Sequence, residues 1–439
     1  MEKVVHWTSL RLSFSLDDSA RTARWGKRQK DPMEDVSLLT QADWQRALSN
    51  EQARAAELFG RPASEQKRLG YFHTLQEICQ QPWTWLRTCD RMIASTERLS
   101  QDVAGIRSLV LTGSGSSEYA SQCVSLPLQN ELGISTESIS GGALLMYGGK
   151  ALSLGRPGLL VSLARSGDSP ESRGALELML DREPEFRHVV VTCNEQGSLA
   201  RDSRLHKKVH VITLPSETHD ESLVMTSSFT NLLLAARFIG MLEKPDEYRN
   251  LCERLSKITG ELIRSKFDVL AKIASTDFRR AVFLGSGSRF GASREAALKM
   301  LELTAGRVAT LCETYLGFRH GPMSYVQDDT LIVCNLSCDA TIRAYEVDLL
   351  HELDRKKLGR SKLIVGENIP DSVVRDGDGV IEFQGLTELG DEETPTVCVV
   401  VAQLLAFFRC LEEGLQPDSP SEGGIISRVV EKFPLHTPS

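Results

Sequence analysis

Short apolar runs recur along the chain, and between them apolar residues follow the three-to-four-residue spacing of amphipathic helices. The apolar runs that predict strands lie at 158–167, 188–194, 209–215, 330–337, 361–367 and 379–385. Alternation of strands and helices at this spacing predicts parallel sheets whose strands are joined by crossover helices.

One pattern occurs twice. Residues 107–120 read RSLVLTGSGSSEYA and residues 280–292 read RAVFLGSGSRFGA, each an apolar run followed by Gly-Ser-Gly-Ser and a helical pattern. Gly113 and Gly285 lie 172 residues apart, which indicates a repeat of a whole α/β unit. We therefore predict an α/β protein with two doubly wound parallel-sheet subdomains in tandem, preceded by a helical lead-in.

Two segments outside the repeat, 33–100 and 246–269, are predicted to be helical. Thr40 and Asp43 form a capping-box pattern, and Pro82 predicts a break between two helices. The predicted layout is a disordered extension or docking arm at 1–32, a helical lead-in at 33–100, a first subdomain at 101–245, a linker helix at 246–269, a second subdomain at 270–412, and a C-terminal tail at 413–439 that contributes to the site.

Composition narrows the classes of function. The chain has 439 residues, 41% hydrophobic and 25% charged, which is ordinary for a globular protein. A net charge of −8 argues against a broad nucleic-acid surface, and no apolar stretch reaches the ~18 residues of a membrane span. The ten cysteines include no CxxC pair, so free thiols in a cytoplasmic protein are expected, with no metal site and no membrane or nucleic-acid partner.

Ligands of open parallel sheets bind beyond the carboxyl ends of the strands, where both GSGS turns fall. Their spacing matches neither the dinucleotide fingerprint nor the Walker loop, so a tight turn without a ligand is the alternative. The stretch Ser162–Ser172 places four serines, an arginine and a glycine ahead of a helical pattern. That set suits a phosphate monoester, although a Ser-rich helix cap, or a cap by Asp168, is also compatible with it.

A third feature lies in residues 295–325. Glu295, Lys299 and Glu302 share one helical face, which alone is compatible with a solvated ion pair. A neighbouring apolar stripe indicates instead that this charged face borders the core. His320 follows in the loop GFRHGP, where a histidine between an arginine and Gly-Pro favours a functional role.

Five motifs together resemble a known family: GSGSS, ARSGDSPES, SLVMTSSFT, EAALKMLELTAGR and GFRHGP. They are similar to sugar isomerase (SIS) domains, and the tandem pair resembles the isomerase half of glucosamine-6-phosphate synthase. The closer resemblance, over residues 65–439, is to the AgaS family of galactosamine-6-phosphate deaminase/isomerases, also labelled tagatose-6-phosphate ketose/aldose isomerases. No nucleophilic cysteine follows the initiator, so a glutaminase that would supply ammonia is not expected.

The resemblance implies roles for particular residues. Ser117 and the loop residues Arg165, Ser166 and Ser169 correspond to those that hold the sugar phosphate. Glu302 would move a proton between C1 and C2, with Lys299 beside it. His320 would open the sugar ring from a neighbouring subunit, which implies at least a dimer. Neither step needs a cofactor or metal. Further candidate substrate contacts are Ser116, Arg319 and Arg428.

The sequence also departs from its relatives. Ala164 and Arg165 replace the Ser and Gln of the synthase, and Met323 stands where the AgaS family usually has lysine. The expected activity is conversion of D-galactosamine 6-phosphate to D-tagatose 6-phosphate and ammonium. The alternatives are a glucosamine-6-phosphate deaminase, a plain ketose/aldose phosphate isomerase, or a non-catalytic sugar-phosphate-binding regulator.

Overall fold

The computed structural model describes residues 40–152 and 155–436. Its strands are β1 (Ser108–Gly113), β2 (Ser135–Ser140), β3 (Gly158–Ala164), β4 (Phe186–Thr192), β5 (Val209–Thr213), β6 (Arg280–Leu284), β7 (Ala309–Glu313), β8 (Thr330–Asn335), β9 (Ser361–Gly366) and β10 (Gly379–Glu382). The extension expected at 1–32 lies outside the described residues.

The helices precede, connect and follow these strands. They are α1 (Gln41–Glu51), α2 (Ala53–Phe59), α3 (Ala63–Leu69), α4 (Phe72–Cys79), α5 (Gln81–Ile93), α6 (Thr96–Val103), α7 (Ser116–Leu132), α8 (Gly141–Tyr147), α9 (Pro170–Arg182), α10 (Ser198–Arg204), α11 (Ser227–Arg237), α12 (Pro245–Ala274), α13 (Ser288–Leu303), α14 (Tyr315–Phe318), α15 (Ala340–Arg355), α16 (Leu386–Leu389) and α17 (Pro395–Glu412).

The strands form two five-stranded sheets in which every pairing is parallel. The first has the order β2-β1-β3-β4-β5 and the second the order β10-β9-β8-β6-β7. Numbered within its own half, each sheet reads 2-1-3-4-5, the doubly wound order whose ligand crevice opens between the first and third strands. The predicted fold class, two doubly wound units in tandem, is confirmed.

The two GSGS turns have nearly the same backbone. Gly115 has φ 57° and ψ −125°, and Gly287 has φ 55° and ψ −131°, so both turns need a residue that tolerates positive φ. Each glycine directly precedes a long helix, α7 or α13. The predicted repeat therefore extends to the conformation of the turn.

Helices α7 and α13 pack directly against each other, which joins the two units beside the turns. A Cβ on Gly291 would lie 2.9 Å from the backbone oxygen of Tyr119 and from the backbone nitrogen of Cys123. The guanidinium of Arg294 lies 4.2 Å from the ring centroid of Tyr119. This close approach brings the start of α7 next to the last turns of α13.

Helix α17 forms the centre of the core. It is the one helix of the described residues that is long and apolar enough to cross a membrane by composition, yet 89% of it is buried inside the protein. Phe408 packs edge-on against Phe267 of α12, with ring centroids 4.9 Å apart. Packing within the core accounts for the apolar character of α17.

Local details agree with the sequence analysis in part. Thr40 caps α1, because its hydroxyl accepts the Asp43 N–H at 3.1 Å, and Pro82 stands in the first turn of α5 after the end of α4. Strands β2 and β7 were not predicted. Both lie on sheet edges and are half-buried, so their sequences, STESIS and ATLCE, lack a continuous apolar run.

Candidate active site

The candidate site opens at the carboxyl ends of β1 and β3, which are neighbours in the first sheet. Helix α7 begins at Ser116 directly after β1, and α9 begins at Pro170 after the loop 165–169 that follows β3. Both helices begin on this edge, so their N-termini present backbone N–H groups and the positive ends of their dipoles here. This arrangement suits an anionic ligand.

The loop 165–169 is organised by its serines. The Ser169 hydroxyl caps α9 by accepting the Ser172 N–H at 3.4 Å, and the two hydroxyls lie 2.8 Å apart. Ser166 Oγ accepts the Asp168 N–H at 3.3 Å, while Asp168 Oδ1 accepts the Ser198 N–H at 2.8 Å. Ser169 rather than Asp168 therefore caps the helix, and part of the Ser-rich pattern is structural.

Arg165 is buried and joins three segments of the chain. Its guanidinium donates to the carbonyls of Ser222, at 3.4 Å, and Leu223, at 2.9 Å, and also to the carbonyl of Arg428. Burial lowers its pKa. Arg428 in turn donates from Nε to the carbonyl of Asp220 at 2.8 Å, which brings the C-terminal tail to the site. A direct phosphate contact by Arg165 stays a prediction.

Two buried carboxylates hold the segment that Arg165 contacts. Glu77 of α4 accepts the N–H groups of Glu221, at 2.6 Å, and Ser222, at 3.0 Å. Asp220 accepts the Thr226 N–H at 2.8 Å. Burial, and then the charge of Asp220, raise the pKa of Glu77 to about 8. Sequence reasoning missed Glu77, because no local pattern connects it with a loop 145 residues away.

Lys299 links the two units at the site. Its Nζ lies 2.5 Å from Glu302 Oε2, 3.2 Å from Glu295 Oε1 and 3.2 Å from Ser116 Oγ at the start of α7. The side chains of Lys299 and Glu295 are fully buried, whereas that of Glu302 is 22% exposed. The expected charged face of α13 therefore borders the core, and Glu302 is its solvent-accessible end.

The electrostatics of this cluster follow from burial. Burial raises the pKa of Glu295 to about 7, although Lys299 opposes the change. Burial alone would lower the pKa of Lys299, but Glu295 and Glu302 outweigh it and raise that pKa. Lys299 is thus a charged ammonium that holds a carboxylate at the mouth of the site. The charge of Glu302 also opposes the lowering of the Arg165 pKa, so the two side chains lie within electrostatic range of each other.

The GFRHGP loop has hydrogen-bond partners of its own and none in the Lys299 cluster among the described residues. His320 is exposed, and its backbone N–H donates to the Gly317 carbonyl at 2.9 Å. Arg319 Nε donates to Glu352 of α15 at 2.8 Å, which ties it to its own unit. Among the described residues no hydrogen bond or ion pair joins His320 to Lys299 or Glu302. Lys356 Nζ approaches Met323 Sδ to 3.5 Å, placing a lysine beside the position where the family usually has one.

Ser117 completes the expected phosphate set. It is buried in the first turn of α7, and a Cβ on Gly113 would lie 2.6 Å from the Ser117 Cβ. Glycine at 113 is therefore required for the strand to turn tightly into the helix. Within residues 40–152 and 155–436, no group of three or more His, Cys, Asp or Glu side chains is arranged to hold a metal ion.

The fold and this site define a two-unit SIS-type sugar isomerase architecture. A Clostridium novyi protein assigned as a tagatose-6-phosphate ketose/aldose isomerase has a solved structure that matches with a TM-score of 0.81 and 32% identity, covering 87% of this chain and 99% of that chain. The corresponding isomerase of Escherichia coli matches with a TM-score of 0.73 and 31% identity, covering 79% and 94%. No family model matches the chain.

The chain belongs to the AgaS family. It is 37% identical over 377 residues to a Streptomyces coelicolor protein assigned as the D-galactosamine-6-phosphate deaminase AgaS, covering 83% of this chain and 95% of that relative. It is 32% identical over 370 residues to the D-galactosamine-6-phosphate deaminase AgaS of Escherichia coli, with the same coverage. The predicted family, and membership of a class of enzymes rather than regulators, are confirmed.

Proposed function

We propose that this protein converts D-galactosamine 6-phosphate and water to D-tagatose 6-phosphate and ammonium. The names of the relatives support the substrate. The observation that carries the chemistry is the Lys299–Glu302 pair, whose lysine also reaches Ser116 at the start of α7. It sets a carboxylate beside the turn where a phosphate would be held.

The phosphate group is expected beyond β1 and β3. Ser117 in the first turn of α7, with Ser166 and Ser169 before α9, supplies hydroxyl groups, and the two helix N-termini supply positive potential. Arg165 contributes a buried positive charge while its N–H groups hold the 222–223 carbonyls. Arg428 and Ser116 are proposed to contact the sugar.

Glu302 is the proposed proton shuttle. His320 opens the sugar ring to give the C1 aldehyde. Glu302 then takes the proton from C2 as the C1–C2 double bond forms, and O1 gains the proton that the C2 ammonium of the substrate loses, which gives an enolamine. The same carboxyl group returns the proton to C1, leaving an iminium at C2. Water adds to C2, the C–N bond breaks, and the nitrogen leaves as ammonium.

Lys299 and Glu295 are proposed to position Glu302. The fully buried ammonium of Lys299 lies 2.5 Å from Glu302 Oε2, and this ion pair fixes the carboxylate in one position at the site. Glu295 lies behind Lys299 and fixes the ammonium from the core side. Lys299 thereby holds Glu302 ready as a base without taking the proton itself.

Ring opening by His320 is proposed to require a second copy of the chain. The imidazole is exposed and, among the described residues, forms no hydrogen bond or ion pair with Glu302 of its own chain, so we propose that a neighbouring subunit supplies it. Mixing inactive Glu302→Gln chains with inactive His320→Asn chains is then expected to restore activity, because some mixed sites hold both native residues. If activity does not recover although the subunits are verified to have exchanged, Glu302 and His320 of the same chain act in one site.

The test of the proposed function is Glu302→Gln. We expect ammonium release to fall by about 10²–10⁴-fold, as for removal of a general base, while calorimetry shows sugar-phosphate binding retained. Glu247→Gln, at an exposed ion pair with Lys244, is the matched control and is expected to keep full turnover. Near-normal turnover of a folded Glu302→Gln protein would refute the assignment of the base.

A plain ketose/aldose isomerase is the second candidate, because the structural neighbours carry that description. It would use Glu302 in the same way but on a substrate with oxygen at C2. Isomerisation of a tagatose or galactose phosphate without ammonium release from either hexosamine 6-phosphate would favour it. A glucosamine 6-phosphate preference would keep the reaction and change only the C4 epimer.

A further inference from the structure

The second GSGS turn repeats the first but carries one different residue. Its glycine, Gly287, has the conformation of Gly115, and Ser286 and Ser288 repeat Ser114 and Ser116. The next position is Ser117 in the first unit and an arginine, Arg289, in the second. The second unit therefore has the backbone of a phosphate turn with an added positive charge.

Two carboxylates of the same chain occupy this turn. Glu346 lies in α15, and Asp391 lies between α16 and α17. Glu346 accepts hydrogen bonds from Ser286 Oγ at 2.7 Å and from the Ser337 N–H at 2.6 Å. Asp391 accepts hydrogen bonds from the Cys338 N–H at 2.7 Å and from the Ser337 hydroxyl. Both carboxylates also pair with the Arg289 guanidinium. Arg289 is only 1% exposed.

This donor set is one that binds phosphate. It combines a turn hydroxyl, two consecutive backbone N–H groups from the loop after β8, and a guanidinium beside the N-terminus of a sixteen-residue helix. A cavity of about 340 Å³ opens beside it. Ser288 lines this cavity and is buried, and its hydroxyl has no hydrogen-bond partner. The cavity therefore contains one hydroxyl group that is available to bind a ligand.

We propose that the second turn is a built anion site that the chain fills with its own Glu346 and Asp391. The native protein therefore binds sugar phosphate at the first turn alone, and removal of the two carboxylates opens a second site for phosphate. The binding of sugar phosphate at the first turn rests on the proposed function, whereas the opening of the second site does not.

Charge supports this inference. The carboxylates of Glu346, Asp391 and Asp339, which caps α15 at the rim of the same cavity, outnumber the guanidinium groups of Arg289 and Arg343. A phosphate dianion would therefore meet net negative charge. Burial would raise the pKa of Asp391, but Arg289 and its hydrogen bonds outweigh burial and lower it. Without the carboxylates, Arg289, Ser286 and the two N–H groups would lack acceptors, and a tetrahedral oxyanion supplies them.

The test is equilibrium dialysis of the full chain against radiolabelled inorganic phosphate. We expect one phosphate per chain for the native protein and two for the Glu346→Ala/Asp391→Ala variant, with thermal stabilisation by phosphate larger in the variant. If that variant does not fold, Asp391→Ala replaces it, because this single change frees the Cys338 N–H and one side of the Arg289 guanidinium and leaves space beside the cavity that Asp391 lines, while Glu346 still supports the turn. No second phosphate in whichever variant is folded would overturn the proposal, as would two phosphates in the native chain.

The matched control frees a different buried arginine. Arg237 pairs with Glu131 at 2.5 Å and Glu393 at 2.7 Å but does not follow a GSGS turn. Glu131→Ala/Glu393→Ala is expected to bind no additional phosphate, and a gain there would show that any unpaired arginine suffices, which overturns the proposal. No phosphate in the native chain but one in Glu346→Ala/Asp391→Ala would reject the first site while supporting the second.

Discussion

Glu295→Gln is expected to stabilise the protein at neutral and alkaline pH. Glu295 is fully buried, and burial raises its pKa from 4.5 to about 7 even though Lys299 lies 3.2 Å away. Between these pH values the folded protein holds a proton that the unfolded chain has lost. Stability therefore falls as pH rises across this window, and the loss is complete above about pH 7.

The magnitude follows from the same pKa. At about 1.4 kcal/mol per pKa unit, the ionised carboxylate costs about 3 kcal/mol of folding free energy above pH 7. Glutamine resembles the protonated acid in shape and carries no charge. We therefore expect Glu295→Gln to match the native protein near pH 4.5 and to exceed its stability by up to about 3 kcal/mol at pH 8.

Urea unfolding at a series of pH values measures this difference. Glu352→Gln is a control of opposite sign, because the hydrogen bonds from Arg319 and Lys356 lower the pKa of Glu352 to about 2. The stability that Glu352 contributes is present above pH 4.5 and is lost as pH falls towards 2, so this variant should be less stable at pH 7. A Glu295→Gln protein less stable than native at pH 8 would refute the reasoning, because the Glu295–Lys299 attraction would then exceed the cost of burial.

Three further predictions concern the site and its support. Lys299→Met should reduce kcat by at least about 10-fold and change KM much less, because Glu302 loses the buried ammonium that fixes its carboxylate; an unchanged kcat in the folded variant would contradict this. Ser169→Ala should cost about 1 kcal/mol in urea unfolding through loss of the α9 cap and raise KM; equal KM values would separate the cap from phosphate binding. Gly291→Ala should cost about 1–3 kcal/mol, because its Cβ would meet the backbone of α7 at 2.9 Å, and thermal melting that matches the native protein would show that the two helices separate freely.

The sequence predicted most of the fold because the central strands are buried on both faces. β3, β4 and β8 are buried along almost their whole length, so each reads as a continuous apolar run. The edge strands β2 and β7 escaped prediction because their half-exposed positions carry polar residues. The helical spacing of apolar residues also predicted a long helix near 246–269, and this helix is α12.

The candidate site was predictable where its residues share one element. Lys299 and Glu302 lie one turn apart on α13, so spacing alone set them on the same face. Glu77 acts on Ser222 from 145 residues away, and Asp391 acts on Cys338 from 53 residues away, so only the folded chain brings these pairs together. The partners of Arg165 could not be predicted from local spacing either, because its three carbonyl acceptors come from two distant segments of the chain.

The central claim is that this site releases ammonium from an amino-sugar phosphate. The most direct test is ammonium release by the purified protein with D-galactosamine 6-phosphate and D-glucosamine 6-phosphate at equal concentrations, with Glu302→Gln alongside. We predict release from the galacto substrate in strong preference, with formation of an equal amount of D-tagatose 6-phosphate, and its loss in Glu302→Gln. No ammonium from either sugar by a folded, sugar-phosphate-binding protein would contradict the account.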